Sequence, residues 1–575
     1  MHGLNPFQSA LIRRAVTSAT GVSATRGALR AFAPEAATEA AGEAHGLQTL
    51  MRRLSARVVR GHNRIWDDKL RHSNGSLEAK EVWENPFIPS GYTYLLQFIA
   101  HDLVASAVSQ SLNRDVPTAV ENTRTRPMCL DTLYGGGPGV HPHAYEFSVA
   151  HRDSKGLVPR MRLRVGKART LQPGAPRCPF RDVGRAMPTD AEDSGRDNSA
   201  RVDWLTEALV VDPRNDSHAL LSQLTVLFHI LHNHVIHMLE ARNRPTDWMP
   251  AELAHRRFLC ARHAVTTVYR TIVVNDVLRR ILHPEVFAAT ATFPFEMHNG
   301  IRKEFSHGAF RFGHAMIRDS YRVNSERPQD TVRALNQSST RLPGMVPITR
   351  EWLVDWSRFF EIDGTVPNLS RRIGPDYAFA IQTEDMFPGI GKGDAFGLAF
   401  RDYLSGAFAE VPKVAEVWQR LADFVPPLDV WQAPLRSWLQ EIPGDPSLSE
   451  PFEPADIDRL VADPPLPFFV QFEAAHALVD GKPVRKGGGR HLGHLGSAIV
   501  AETILGAMRH HPLGFESAGT DSRARIAACC RALLDDADAL ADLGVNGGDG
   551  AQAREIASMP DLIGFLDANG AFPTA

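Results

Sequence analysis

One stretch constrains this chain more than any other. Tyr94 to Val104, YLLQFIAHDLV, reads as a single apolar helix that nevertheless carries Gln97, His101 and Asp102. Gln97 and His101 stand four residues apart and share a face. An amide, an imidazole and a carboxylate within an apolar helix each require a polar partner once buried, which is how a site is built. Taken alone, the stretch reads first as the core helix of a globular protein with one satisfied histidine.

Around it the chain reads as a succession of helices. Leu47 to Arg60 has helical spacing, and Asn63 to Pro89 is a polar connection. Asn122 to Gly139, NTRTRPMCLDTLYGGGPG, has the Thr, Asp, Gly and Pro content of a long loop. Tyr145 to Val165 suggests a short hairpin, and 170 to 200 a surface loop. From Arg201 helical patterning dominates: Asp216 or Ser217 caps a helix running to about Met238, and the turn Asp212-Pro213-Arg214-Asn215 presents Arg214 at its mouth. His229, His232, His234 and His237 point in different directions on that helix and cannot converge on one ion. A second long helix covers 251 to 284, and Gly308 to Asn324 sets Arg311, His314, Arg318 and Tyr321 at helical spacing, with two arginines flanking His314 as an anionic ligand would require. Leu398 to Pro412 is amphipathic, and Pro465 to Met508 reads as helix, glycine-rich turn, helix, without the Lys-Ser/Thr ending of a phosphate loop.

Composition narrows the classes. With 43% hydrophobic and 22% charged residues in 575, the chain has a sizeable core, and a net charge of −3 gives no reason to expect nucleic acid or an anionic membrane as partner. Five cysteines without a CxxC, Cys129, Cys178, Cys260, Cys529 and Cys530, indicate reduced thiols and a cytoplasmic location. The longest apolar passage, Leu220 to Leu239, is interrupted by Gln223 and four histidines, so no bilayer span is expected. Arg13, Arg14, Arg26 and Arg30 precede any acid, which makes the start of the chain a basic arm. The expected division is an arm at 1–60, a catalytic domain at 61–540 and a tail at 541–575.

From about Trp83 to Pro512, six of these stretches in this order resemble the animal-type haem peroxidase superfamily, and especially its bacterial members. QFIAHDL is similar to the distal-histidine motif, NTRTRPMCLDTLYGGGP to the calcium loop, DPRND to the catalytic-arginine motif and AFRFGHAMI to the proximal-histidine motif. LAFRDYLSG resembles the helix that follows, and GGGRHLGHLGSAIVAETI the closing turn and helix. The resemblance implies a mostly α, large single-domain fold with few short strands. It implies His314 as axial ligand of haem iron, His101 as distal base, Arg214 as distal arginine and Gln97 beside His101 over the iron. The partner of His314, an asparagine in the family, falls on Asp402, and a carboxylate there would push electron density toward the iron and lower its reduction potential.

Departures from the pattern carry their own expectations. Ala100 and Ser217 stand where the family has ester-forming carboxylates, so haem b is expected to be held without covalent bonds. The arginine that usually meets a haem propionate falls on Ser405, leaving Arg311, Arg318 and Arg401 as candidates. Asp102, Thr125 and Asp131 match calcium-ligand positions, but Cys129 replaces an aspartate, a poor exchange for an ion that prefers oxygen. The cyclooxygenase branch has a radical-forming tyrosine three residues before the proximal histidine, where this chain has Arg311. The expected function is therefore hydrogen-peroxide-dependent oxidation of a small organic donor. A fatty-acid dioxygenase or hydroperoxide-transforming enzyme on the same fold, and a haem-free scaffold, are the alternatives.

Overall fold

The apolar periodicity seen in the sequence becomes helix over most of its length. The computed structural model describes residues 46–58, 83–105, 122–146, 161–168, 177–186, 207–241, 250–291, 301–326, 328–336, 338, 346–382, 397–409, 411–422, 425, 428–441, 452–479, 482–484, 488–510 and 556–572. Within them the protein is mostly α-helical, and its strands form only short antiparallel pairs. The surface loop expected at 170 to 200 is contradicted where it is described, since Arg181–Val183 is a strand paired with Val165–Lys167 and Asp182 and Val183 are buried. Residues 170–176 and 187–200, most of the polar connection after Asn63, Cys529, Cys530 and the start of the basic arm lie outside the described residues, as does the middle of the hairpin expected after Tyr145.

The central element is the helix Gly91–Leu103, buried along its whole length except at Gln97. Its first turn is pressed against 359–360. A Cβ on Gly91 would lie 2.5 Å from the Phe359 carbonyl oxygen and 2.6 Å from the Phe360 ring, so only glycine fits. Its last carbonyls, which have no partner within a helix, are met by side chains: His101 O accepts from Arg124 Nη2 (2.7 Å) and Arg214 Nη2 (3.0 Å), and Leu103 O from Asn122 Nδ2 (2.9 Å).

This helix packs against the helix Ala219–Ala241 and against the segment Ala309–Met316. By length and composition Ala219–Ala241 could cross a membrane, but 83% of its apolar window is buried inside the fold, as in the core helix of a globular domain. Its histidines do not gather: His229 Nδ1 lies 2.9 Å from Arg164 O and His232 Nε2 2.8 Å from Met161 O, both inside, while His237 is exposed. The second long helix, Pro250–Ile272, continues through a π turn at Val273–Leu278.

Two expectations about elements need correction. The proximal stretch is not helical through Asn324. A 3₁₀ helix covers only Ala309–Met316, and Ser320–Tyr321 is a strand paired with Gln329–Asp330, so Arg318 and Tyr321 leave the face that carries His314. The stretches read as arm and tail also contribute to the core. In the helix at 46–58, Leu50, Met51, Leu54 and Val58 are buried and Arg53 pairs with Asp456 at 2.6 Å. The helix Met559–Ala568 buries Met559, Leu562, Ile563 and Leu566, and Met559 N donates to Asp276 Oδ2 at 3.0 Å.

Candidate functional site

Two histidines from distant parts of the chain are brought onto neighbouring elements, each with its tautomer fixed by a partner. On the Gly91–Leu103 helix, His101 Nδ1 lies 3.0 Å from Asn215 Oδ1. Asn215 Nδ2 donates to Thr132 O and Thr132 Oγ1 (3.2 and 3.0 Å), so its oxygen is the end that faces His101. The proton of His101 therefore sits on Nδ1, and Nε2 carries the lone pair. Burial, joined by the Arg214 charge, pushes this imidazole down to about 3, and it is neutral at ordinary pH.

On the segment Ala309–Met316, His314 Nδ1 lies 2.7 Å from Asp402 Oδ2. Asp402 stands in the helix Gly397–Phe408 and is itself fully enclosed. Burial pushes its pKa up, but His314 and Arg311 outweigh burial and hold the carboxyl below its usual range. An ionised carboxylate accepting from Nδ1 leaves Nε2 of His314 as the electron-donating nitrogen. Two groups that the sequence reading missed complete this side: Tyr377 Oη donates to Asp402 Oδ2 (3.1 Å) and accepts from Gln471 Nε2 (2.6 Å). Arg311 Nη1 lies 3.5 Å from Asp402 Oδ1.

His101 is fully buried, and the accessible surface lies on the His314 side and at Gln97. Gln97 is the one residue of its helix that is not buried, His314 keeps 17% of its side chain accessible, and a Cβ on Gly313 would meet no atom within 4 Å. Gln97 Oε1 accepts from His218 Nε2 (3.0 Å), since His218 Nδ1 already accepts from Leu221 N (3.3 Å). His218 follows directly on the DPRNDS run, and no spacing in the sequence links it to Gln97.

Arg214 reaches this neighbourhood but not in the expected attitude. Its Nε and Nη2 donate to Asp212 (3.0 and 2.6 Å), Nη1 to Val104 O (2.8 Å) and Nη2 to His101 O (3.0 Å). A guanidinium so held braces the end of the Gly91–Leu103 helix, whose carbonyls attract a cation. Burial raises the Asp212 pKa, but Arg214 and then His101 and Arg124 override it, and the carboxyl is held well below the usual range.

The expected calcium cage is not what the loop builds. Asp102 accepts from the backbone amides of Leu130 and Thr132 (3.0 and 3.3 Å), and burial raises its pKa to about 6. Asp131 is gripped by Arg126 (2.8 Å) and Arg262 (3.1 Å), Arg270 Nη2 donates to Cys129 Sγ (3.3 Å), and Thr125 is exposed. Arginine side chains supply the positive charge that an ion would bring.

Among the propionate candidates, Arg318 is committed elsewhere, to Glu84 at 2.8 Å and to Leu369 O. Arg311 and Arg401 stay beside Asp402, Arg401 by its place in the same helix. Ser405 is within 3.0 Å of His307 Nδ1. Asp216, one residue short of the second ester position, is held by both arms of Arg185 at 2.9 Å.

Residues 164–351, which include Arg214 and His314, match the family described as animal haem peroxidase. That match spans about a third of the chain, and over it the chain is similar to the animal-type haem peroxidase superfamily. Members of this superfamily bind haem, and the paired neutral imidazoles with the gap beside Gly313 suit it. The helices bearing His101 and Asp402 fall outside the matched span. Three solved structures are similar to this chain. Peroxidase A from Dictyostelium discoideum shares 15% identity at a TM-score of 0.45, over 78% of this chain and 83% of that one. A fatty acid alpha-dioxygenase from Arabidopsis thaliana shares 12% at 0.45, over 84% and 73%. The Oryza sativa fatty acid alpha-dioxygenase shares 12% at 0.40, over 80% and 76%. No curated protein matches the sequence.

Proposed function

We propose that this protein is a peroxidase that reduces hydrogen peroxide to water and oxidises a small organic donor, with haem b bound non-covalently. The observation that supports the reading is the anchoring of two imidazoles on adjoining elements: Nδ1 of His101 meets Asn215 Oδ1 and Nδ1 of His314 meets Asp402 Oδ2, which leaves Nε2 of each ring as its lone-pair nitrogen. His314 Nε2 would hold the iron, and Arg311 and Arg401 the cofactor's carboxylates. When bound, haem supplies the redox centre that takes two electrons from the donor and delivers them to peroxide.

The chain's own part is proton management. His101 Nε2 takes the first proton of hydrogen peroxide and returns it to the oxygen that leaves as water, a service worth roughly a hundred- to ten-thousandfold in rate. Asn215 holds the imidazole in the tautomer that can do this, and Arg214 acts from behind, fixing the backbone of His101 and contributing positive field. Gln97, oriented by His218, is the polar group that receives the small oxidant beside His101. No carboxylate is placed for an ester: Ala100 has none, and Asp216 is held by Arg185.

The test is direct. Purified full-length protein should show a Soret band, release its haem into acidified acetone, and oxidise a guaiacol-type donor with peroxide, with His101→Ala lowering turnover roughly a hundredfold or more. Oxygen uptake with an unsaturated fatty acid, in place of peroxide-driven donor oxidation, would sink the reading in favour of a dioxygenase. A chain that takes up no haem would make it a scaffold.

A further inference from the structure

A second chemical cluster lies apart from the haem region. His283 and Glu285 cap the helix Pro284–Ala289, and His494 opens the helix His494–His510. These three residues each offer a ligand atom, all within 4.8 Å of one another. His494 Nε2 is already 3.1 Å from Glu285 Oε2, close to the roughly 3.3 Å separating two ligands of a tetrahedral zinc. The rings of His283 and His494 face each other at 3.8 Å, and His491 stands edge-on to His283 at 4.8 Å.

We propose that His283, Glu285 and His494 form a site for a borderline divalent metal ion of the zinc class, clamping the Pro284–Ala289 helix to the start of the His494–His510 helix, with solvent in the fourth position.

The donor set decides the class of ion. Two imidazoles and one carboxylate without sulfur suit zinc and its late first-row neighbours, whereas calcium and magnesium want oxygen alone. Solvent reaches the site from the Glu285 side, where that side chain is 79% exposed, while His494 is only 12% exposed. Binding requires neutral imidazoles. His491 Nδ1 donates to Leu492 O (2.8 Å), which orients that ring against His283. The backbone is tied as well, His283 N donating to Ser497 Oγ at 2.7 Å. The Glu285 N contact to His283 Nδ1 is long, 3.4 Å, and yields when the ring turns toward an ion.

The experiment uses the full-length, haem-loaded protein, stripped with chelator and titrated with Zn²⁺ alone, bound zinc being counted by elemental analysis and affinity by calorimetry. The expected result is one zinc fewer per chain in Glu285→Gln and in the double variant His283→Ala/His494→Ala than in the parent, or a fall in affinity beyond the roughly ten- to hundredfold that loss of an outer-sphere partner causes. Glu285 is exposed, so its variant tests the site without threatening the fold. The pair His141 and His143, half-buried and exposed respectively with rings 5.9 Å apart, is the control: His141→Ala/His143→Ala should keep the zinc. Zinc retained in both cluster variants, zinc lost only in the control, or no zinc bound at micromolar concentration would each overturn the assignment.

Discussion

At the scale of single residues, the character of the haem side rests on how much charge Asp402 passes to His314. Asp402 Oδ2 serves two donors at once, His314 at 2.7 Å and Tyr377 at 3.1 Å, while Arg311 approaches the other oxygen at 3.5 Å. Each competing donor withdraws charge from the carboxylate, so Tyr377 moderates the push that a lone aspartate would deliver. The two ends of this chain should then shift the Fe(III)/Fe(II) midpoint in opposite directions. Asp402→Asn removes the negative charge and raises the midpoint. Tyr377→Phe removes one hydrogen bond, worth about 1 kcal/mol, and lowers it by about 40 mV. Spectroelectrochemical titration of the two variants reads both signs, and a pair of shifts in the same direction would show that Tyr377 does not act through Asp402.

At the scale of elements, the Asp212-Pro213-Arg214-Asn215 turn does more joining than the sequence suggested. Asp212 binds Arg124 (2.7 Å) from the loop and Arg214 (2.6 Å), and both arginines cap the same helix end at His101 O. Removing one partner of a buried ion pair leaves a costly charge, so Arg214→Ala should lose about 3 kcal/mol in denaturant unfolding. Arg214→Lys, which keeps the charge but not the forked geometry, should lose part of that. If Arg214→Ala unfolds like the parent and loses only peroxide turnover, the guanidinium works at the oxygen instead. What was legible here was local: the 3.6-residue period exposed the helices of His101 and Asp402, and Pro-Arg-Asn chemistry exposed the turn. The proximal stretch escaped because its apolar spacing continues past Met316, whereas the backbone leaves the helix when Ser320–Tyr321 pairs with Gln329–Asp330. Tyr377 and Gln471 carry no sequence signal, since an isolated tyrosine and an isolated glutamine meet Asp402 only through tertiary packing. The arginines that displace the calcium cage come partly from 131 residues away and were equally invisible.

At the scale of the whole molecule, the interior is unusual in how many histidines it holds neutral. His101, His232 and His307 are pushed down to about 3, and His229 and His283 to about 4, burial being the first cause in each case. In an unfolded chain these groups take up protons near 6.5. Between that value and their folded ones, unfolding is accompanied by proton uptake, so their contribution to stability is present above about 6.5 and is lost as pH falls. Two buried acids work the other way. Asp102, raised to about 6, and Glu473, raised to about 7, hold protons in the fold that the unfolded chain releases, and they stabilise as pH falls toward the ordinary carboxylate range. Near pH 5.5 the five histidines outnumber the two acids, leaving a net uptake of up to about three protons, or about 4 kcal/mol per pH unit at most. Asp212 and Asp402, whose pKa values are held low, lose their contribution only at still lower pH. Urea unfolding of the full-length protein at intervals from pH 5 to 7 should therefore show stability climbing steeply with pH. A flat profile, or one that falls across this window, would mean that the buried histidines already carry their protons in the folded state. The tautomer assigned to His101 would then fail as well.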